Sequence, residues 1–344
     1  MLTTQIVLIS FFIISCFFVL VPLPNRVTSR RIFSIVGFGA FLMVAFRSSK
    51  MVDYEVYQRA FDGLSGFRFE PGFHLIKWIG TLLGNVQFWG FVIYAFLCVY
   101  LKLFFIKKYQ NVLWQCLLVY MASTIVTQDM VAIRAGVAGS FMLFAIDFKQ
   151  KGKRGKMYTM LVLSVMFHYS ALACFIIPFL DNDKPCRRFY LLSLLFSHLL
   201  ALMGIFLNKY IGILNSIGAL EAVVSMQVER DEPMNFLNLM QIGNILVCVI
   251  FWFNVSKMQK NYRDSLIYLK LYTVGICVMP LLALMMAMAI RLQELFFVVL
   301  IVLIPMGFST IFKKKVLNNY LLILYSLIVL YFIINTNVYW GVMP

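Results

Sequence analysis

Carboxylates are scarce in this chain, with 14 Asp and Glu in 344 residues against 30 Lys and Arg. Charged residues of both signs reach only 13%, while 62% are apolar. That balance excludes a soluble globular protein. Soluble linkers and low-complexity tracts are also missing, which leaves no room for a separate extramembrane domain. The seven cysteines show no C-x-x-C spacing and none falls in an expected external loop, so neither disulfides nor a zinc site is indicated. No metal-ligand constellation occurs anywhere, and no cofactor is expected. The first apolar run, 6–21, lacks a basic leader and a small-residue cleavage site. It reads as an uncleaved span with its N-terminus outside.

What the chain has in abundance is apolar runs as long as a bilayer crossing. The fold class is therefore all-α, a polytopic helical membrane protein forming one integral-membrane domain over 1–344. Ten full spans are expected, at 4–23, 32–47, 86–106, 111–127, 130–148, 189–207, 236–256, 265–289, 292–311 and 317–336. The net charge of +16 does not point to nucleic acid, because the cations fall in short clusters beside span ends. Those clusters (Arg26/Arg30/Arg31, Lys107/Lys108, Lys149 to Lys156, Lys184/Arg187/Arg188, Lys257/Lys260/Arg263 and Lys313 to Lys315) mark one inner side. Ten carboxylates, Asp129 among them, are then expected on the outer side.

Residues 157–180 break the alternation, since both flanks are basic and a single crossing would invert every later loop. A helical hairpin entering from the inside and turning near Phe167–Ser170 is preferred to a plain span. Arms of equal α-helical length would rise only about 16 Å, to mid-bilayer, with His168 at the turn.

Two external loops, 47–85 and 208–235, offer substrate-binding material. The first mixes Asp53, Glu55, Asp62 and Glu70 with Arg47, Lys50, Arg59 and Arg68, and places Tyr54 and Tyr57 between them. Carboxylates accept from sugar hydroxyls and aromatic faces cover a pyranose ring, although a solvated surface loop has the same composition. Within it, Pro71 suits a helix start and Gly84-Asn85 a stop. The helix between them is amphipathic and lies at the outer interface with Trp78 as anchor.

An arginine inside a span costs at least about 2.5–3.5 kcal/mol on the lenient insertion scale, so Arg134 marks a site. Snorkelling or a static pair with Asp129 is the alternative. Gly136 and Ser140 point away from Arg134, toward a packed neighbour. Arg291 opens another span at the outer boundary, as a second site residue or as an anchor pairing with Glu294. His198 reads as a packed helix histidine, and Tyr339 and Trp340 as interfacial belt residues.

These residues also carry a resemblance. Arg47 followed by Asp53-x-x-x-Tyr57, then Glu70-Pro71-Gly72-Phe73, then Ile133-Arg134 with Val137-Ala138, then Phe167-His168-Tyr169-Ser170-Ala171-Leu172, then Arg291 with the apolar run to Pro305, together resemble the EpsG/Wzy group of exopolysaccharide and O-antigen repeat-unit polymerases. One departure is Ala135, where the group often has Gln. The resemblance implies a membrane glycosyltransferase that moves a growing glycan from its polyprenyl-diphosphate carrier onto the next lipid-linked repeat unit. Its site would face the outside of a bacterial inner membrane, and a chain-length-regulating membrane protein would be a conceivable partner. The roles expected are Arg134 and Arg291 on the diphosphate and His168 as general base, with Asp53 or Glu70 as the other candidates. Asp53, Tyr57 and Glu70 would orient sugar, and Arg47 would brace the loop through one of its carboxylates. A transporter of lipid-linked saccharide and a membrane sugar O-acyltransferase are the competing readings.

Overall fold

The computed structural model describes residues 2–64, 69–208, 237–283, 285–312 and 314–335. Arg68, Lys313, Tyr339, Trp340 and the expected loop 208–235 from position 209 onward lie outside the described residues. Among the described residues every regular element is a helix. In chain order the α-helices are α1 Leu2–Leu20, α2 Arg26–Ala45, α3 Tyr54–Phe61, α4 Pro71–Leu82, α5 Val86–Ile106, α6 Leu113–Ala122, α7 Ile133–Gln150 and α8 Arg154–Phe167. They continue as α9 Arg187–Asn208, α10 Leu239–Phe253, α11 Val255–Asn261, α12 Ser265–Leu281, α13 Met286–Phe297, α14 Leu300–Ile311 and α15 Lys315–Asn335.

Asparagine side chains start several of these helices. Asn25, Asn85 and Asn238 accept from the amides of Thr28, Phe88 and Gln241, at 2.7, 3.0 and 2.9 Å, which satisfies donors a helix cannot satisfy itself. Four helices (α1, α2, α5 and α15) are each long and apolar enough to cross a membrane, and three bent pairs raise the number to seven by length and composition. Several of the ten expected spans thus occur as broken helices rather than straight rods. The span expected at 265–289, for example, ends with α12 at Leu281, and a new helix starts at Met286.

The sharpest break lies between α6 and α7. The chain widens there into a π-helical stretch, Ile125–Val131, inclined 119° to α7. Asp129 of this elbow is fully buried and paired with equally buried Lys102 from the C-terminal part of α5. Its second oxygen accepts from the Tyr120 hydroxyl at 2.5 Å, and Lys102 also donates to the Gly136 carbonyl at 2.9 Å. The outward placement expected for Asp129 is therefore corrected. Buried Lys102 gives it a counter-charge inside the bundle, where an isolated charge could not remain. Gly136 is what allows the approach, since a Cβ there would lie 2.7 Å from Asp129 Oδ1 and 2.8 Å from Cys98 Sγ. Ser140, one turn on, donates to Cys98 O at 3.4 Å, so this face of α7 does pack on a neighbour, namely α5.

Removing one partner of such a pair costs about 3–5 kcal/mol, while removing both charges together costs far less. Lys102→Met is therefore expected to lower the melting temperature of the detergent-purified protein sharply, and Lys102→Met/Asp129→Asn to recover most of it. Equal melting of the two variants would show that the charges do not act as a pair.

The 157–180 segment is a hairpin. Helix α8 runs back along α7, with Ser164 Oγ donating to Ala138 O at 2.8 Å. At His168 the backbone turns extended, and a 3₁₀-helix, Tyr169–Phe179, returns. It ends beside the C-terminus of α7, where Lys149 Nζ donates to the carbonyls of Ile177 (2.7 Å), Pro178 (2.9 Å) and Leu180. Lys270 Nζ grips the next carbonyls, of Asp181 and Lys184, at 2.5 and 2.6 Å. The two arms match in height although they differ in residue number. Fourteen α-helical residues rise about 21 Å and eleven 3₁₀ residues about 22 Å. The first arm is about 5 Å longer than expected because α8 starts at Arg154 rather than at 157.

Candidate active site

The tip of the hairpin meets the first loop at Glu70. This residue precedes α4, whose first turn holds Pro71 and Gly72. A Cβ on Gly72 would come 2.8 Å from Met166 O and 2.9 Å from the Phe167 ring, so only glycine lets the start of α4 close onto the tip. The rest of α4 buries Phe73, Ile76 and Gly80 and leaves Trp78 exposed, the amphipathic pattern expected. Helix α3 is tied down beside it: Lys77 Nζ donates to Ala60 O at 3.1 Å, and Gln87 Nε2 donates to both Asp62 oxygens at 2.7 and 2.8 Å.

Glu70 is buried, and three groups converge on it. Arg134 Nη1, from the first turn of α7, pairs with Oε2. His168 Nδ1 lies 3.3 Å from Oε1, and the Tyr169 amide donates to the same oxygen at 3.3 Å. Burial alone would raise the carboxyl's pKa, but the hydrogen bond to His168 and the charge of Arg134 more than reverse this, lowering it from its ordinary 4.5 to about 2. A carboxylate so firmly ionised is a weak proton acceptor and a strong orienting group. The other ring nitrogen of the histidine, Nε2, is buried without a hydrogen-bond partner among the described residues.

Arg134 also donates from Nε to the Tyr57 hydroxyl at 3.5 Å, and its guanidinium lies over Phe69 at 4.8 Å and Tyr57 at 5.7 Å from the ring centroids. The partner considered for it from sequence, Asp129, is taken by Lys102; the actual one lies 64 positions upstream. Its side chain keeps 18% exposure against 3% for Glu70, so a ligand approaching the cluster reaches the cation before the carboxylate. Nη2 makes no hydrogen bond among the described residues.

Asp53 sits at the start of α3 in a left-handed conformation, φ 63°. Burial raises its pKa, and the charges of Arg291 and Arg134 oppose that rise. Arg291, on α13, is exposed and forms no ion pair among the described residues. Asp53 therefore stands within electrostatic reach of both arginines and links α13 to the cluster.

Arg47 is placed otherwise than expected. It is buried, donates to Val44 O at 3.4 Å, and stacks over Phe91 and Tyr54 at 4.5 and 5.7 Å from their centroids. It braces the loop through aromatic faces of α5 and α3, and no carboxylate pairs with it among the described residues. An apolar aromatic slot accommodates a weakly hydrated guanidinium without a counter-ion.

Three contributors escaped the reading of the sequence. Tyr94, on α5, packs between Phe73 and Phe167 with its hydroxyl buried and unpartnered among the described residues. Phe69 lies under the Arg134 guanidinium. Lys102 was concealed by its closeness to the Lys107/Lys108 cluster, although as a charge inside the expected span 86–106 it meets the criterion that singled out Arg134.

No curated protein and no solved structure matches this chain. A family model described as the EpsG family matches residues 30–341, which takes in every residue of the cluster. EpsG is a Wzy-type polymerase family, so the activity is of the polysaccharide-polymerase type, on lipid-linked saccharides. On that match over nearly its whole length, the chain belongs to the EpsG family.

Proposed function

We propose that the protein is a repeat-unit polymerase that uses a polyprenyl-diphosphate-linked glycan as donor and works at the outer face of the bacterial inner membrane. The observation that carries this reading is the junction at Glu70, where one ionised carboxylate holds an arginine from α7 and a histidine from the hairpin tip. With Glu70 accepting from Nδ1–H, the His168 lone pair lies on Nε2, the nitrogen without a partner. A neutral imidazole oriented by a carboxylate is the arrangement of a general base.

The step then balances as follows. The acceptor sugar hydroxyl attacks C1 of the donor glycan and gives its proton to His168 Nε2. The C1–O bond to the carrier breaks, and the polyprenyl diphosphate leaves with both bonding electrons. Arg134 and Arg291 stabilise the charge that develops on it. Asp53, Tyr57 and the aromatic surface around Phe69 orient the sugars, and Glu70 acts through His168 and Arg134. Outward orientation rests on the position of the cluster, at the end of α7 opposite Lys149, Lys151, Lys153 and Arg154.

Purified protein supplied with lipid-linked repeat units is expected to yield longer glycans and one free polyprenyl diphosphate per bond formed. A transporter would make neither product. An O-acyltransferase would need an acyl donor and would leave chain length unchanged.

Arg291→Ala separates chemistry from folding, because the side chain is exposed and unpaired among the described residues. Melting should stay at the wild-type temperature while the polymerisation rate falls about 10–100-fold, less than for a fully buried transition-state donor. Wild-type glycan length and yield would remove Arg291 from the diphosphate site.

A further inference from the structure

Gln128 sits in the elbow next to Asp129 and is buried. Its Nε2 donates at 2.6 Å to the carbonyl of Glu294, 166 positions further along the chain. That carbonyl lies in the last turn of α13, where the helical ladder gives out: the amide of Val298 turns to Phe296 O, and α14 leaves at 53°. A hydrogen bond across such a break joins two segments that the helical ladder does not. Gln128 supplies it.

The tie connects two functional side chains. On one side the elbow runs through Ala132 into α7, whose second residue is Arg134. On the other, Glu294 is three residues from Arg291 on the same face of α13. The elbow is itself fixed to α5 by Lys102 and Asp129, so the bond from Gln128 sets the distance of α13 from a rigid reference. Arg134 already has a partner that holds it in place, Glu70. Exposed Arg291 forms no ion pair among the described residues, and beyond the attraction of Asp53 its location depends on that of its helix.

We infer that Gln128 is a positioning residue that sets the spacing between Arg134 and Arg291. Its effect on catalysis rests on the proposal that both arginines share one diphosphate; its effect on geometry rests only on the hydrogen bond to Glu294. Two cations that must meet one small anion are sensitive to spacing, and misplacement by about 1 Å costs a reaction on the order of 100-fold.

Two readouts on the full-length protein test this. Gln128→Met keeps the side-chain volume and removes the donor. With Cys186→Ser as background, nitroxide labels at Leu75 of α4 and Met288 of α13, both exposed, report the position of α13 by electron–electron distance measurement. The distance distribution is expected to broaden or shift in Gln128→Met. On lipid-linked repeat units, the same substitution should lower kcat/KM about 10-fold or more in the wild-type background. In Arg291→Lys it should cost almost nothing further, because residues acting through one another are not additive.

An unchanged label distance overturns the inference, and so does an equal loss of activity in both backgrounds, which would mark Gln128 as a general fold stabiliser. A changed distance with undiminished polymerisation upholds the positioning and instead removes the shared diphosphate from the proposed function. If Gln128→Met does not accumulate, Gln128→Asn, which withdraws the amide by about 1.5 Å, is read in the same way.

Discussion

Glu70→Gln is expected to reduce kcat about 10²–10⁴-fold with little change in KM, the range found when a base loses the carboxylate that sets its tautomer. The substitution keeps size and shape, so the amide oxygen still accepts from Arg134. Its NH₂ group then faces His168 Nδ1 and donates to it, while the Tyr169 amide loses its acceptor. The imidazole must turn the lone pair of Nδ1 toward Glu70's replacement, and its proton moves to Nε2, the nitrogen proposed to receive the substrate's proton. The protein should remain folded and bind substrate, yet lack its base. Glu70→Ala is the wrong variant for this purpose. Both substitutions remove the counter-charge of Arg134, but Ala also removes the acceptor of its hydrogen bond and leaves a void, so lost activity in Glu70→Ala would report unfolding. Polymerisation by Glu70→Gln within about three-fold of wild type would show that tautomer control has no part in the reaction.

The pH profile carries the second large effect. Because Glu70 is lowered from 4.5 to about 2, the folded state binds fewer protons than the unfolded state between those values. Its contribution to stability is complete above about pH 5 and is lost as pH falls toward 2. Glu70 therefore supplies no titration between pH 5 and 8, either in stability or in rate. A fall in kcat/KM on the acid side of that window must come from another group. His168→Gln should be about 10²–10⁴-fold slower than wild type. If the acid limb survives in His168→Gln and disappears in Asp53→Asn, the base is Asp53. The rise that burial causes in the Asp53 pKa would then be the functional shift.

What the sequence disclosed about this site depended on how each residue is held. Arg134 and His168 were legible because a charge or an imidazole in an apolar run has an evident solvation problem. The hairpin was legible because basic clusters on both flanks forbid a single crossing. The partner of Arg134 was not, since Glu70 lies 64 positions away and nothing in a linear pattern distinguishes it from Asp129, only five residues upstream. Lys102 and Asp129 were hidden for a related reason: each is unremarkable alone, one near a basic cluster and the other between two apolar runs. The elbow that joins them requires a π-helical register, which no hydrophobic period announces. The arm lengths were underestimated because α8 starts three residues before 157 and because the 3₁₀ return arm rises further per residue than an α-helix.

That return arm has a further consequence. With three residues per turn, Ala171, Cys174 and Ile177 fall into one straight buried row, and Cys174 Sγ touches Met142 Sδ of α7 at 3.2 Å. Such a row works like a rail, opposing sideways displacement far more than travel along its own direction. What arrests the travel is the Lys149 ammonium hooked under the terminal carbonyls. The altitude of the imidazole is thus set from the opposite pole of the bundle, roughly 20 Å away, by a residue that never meets the sugar.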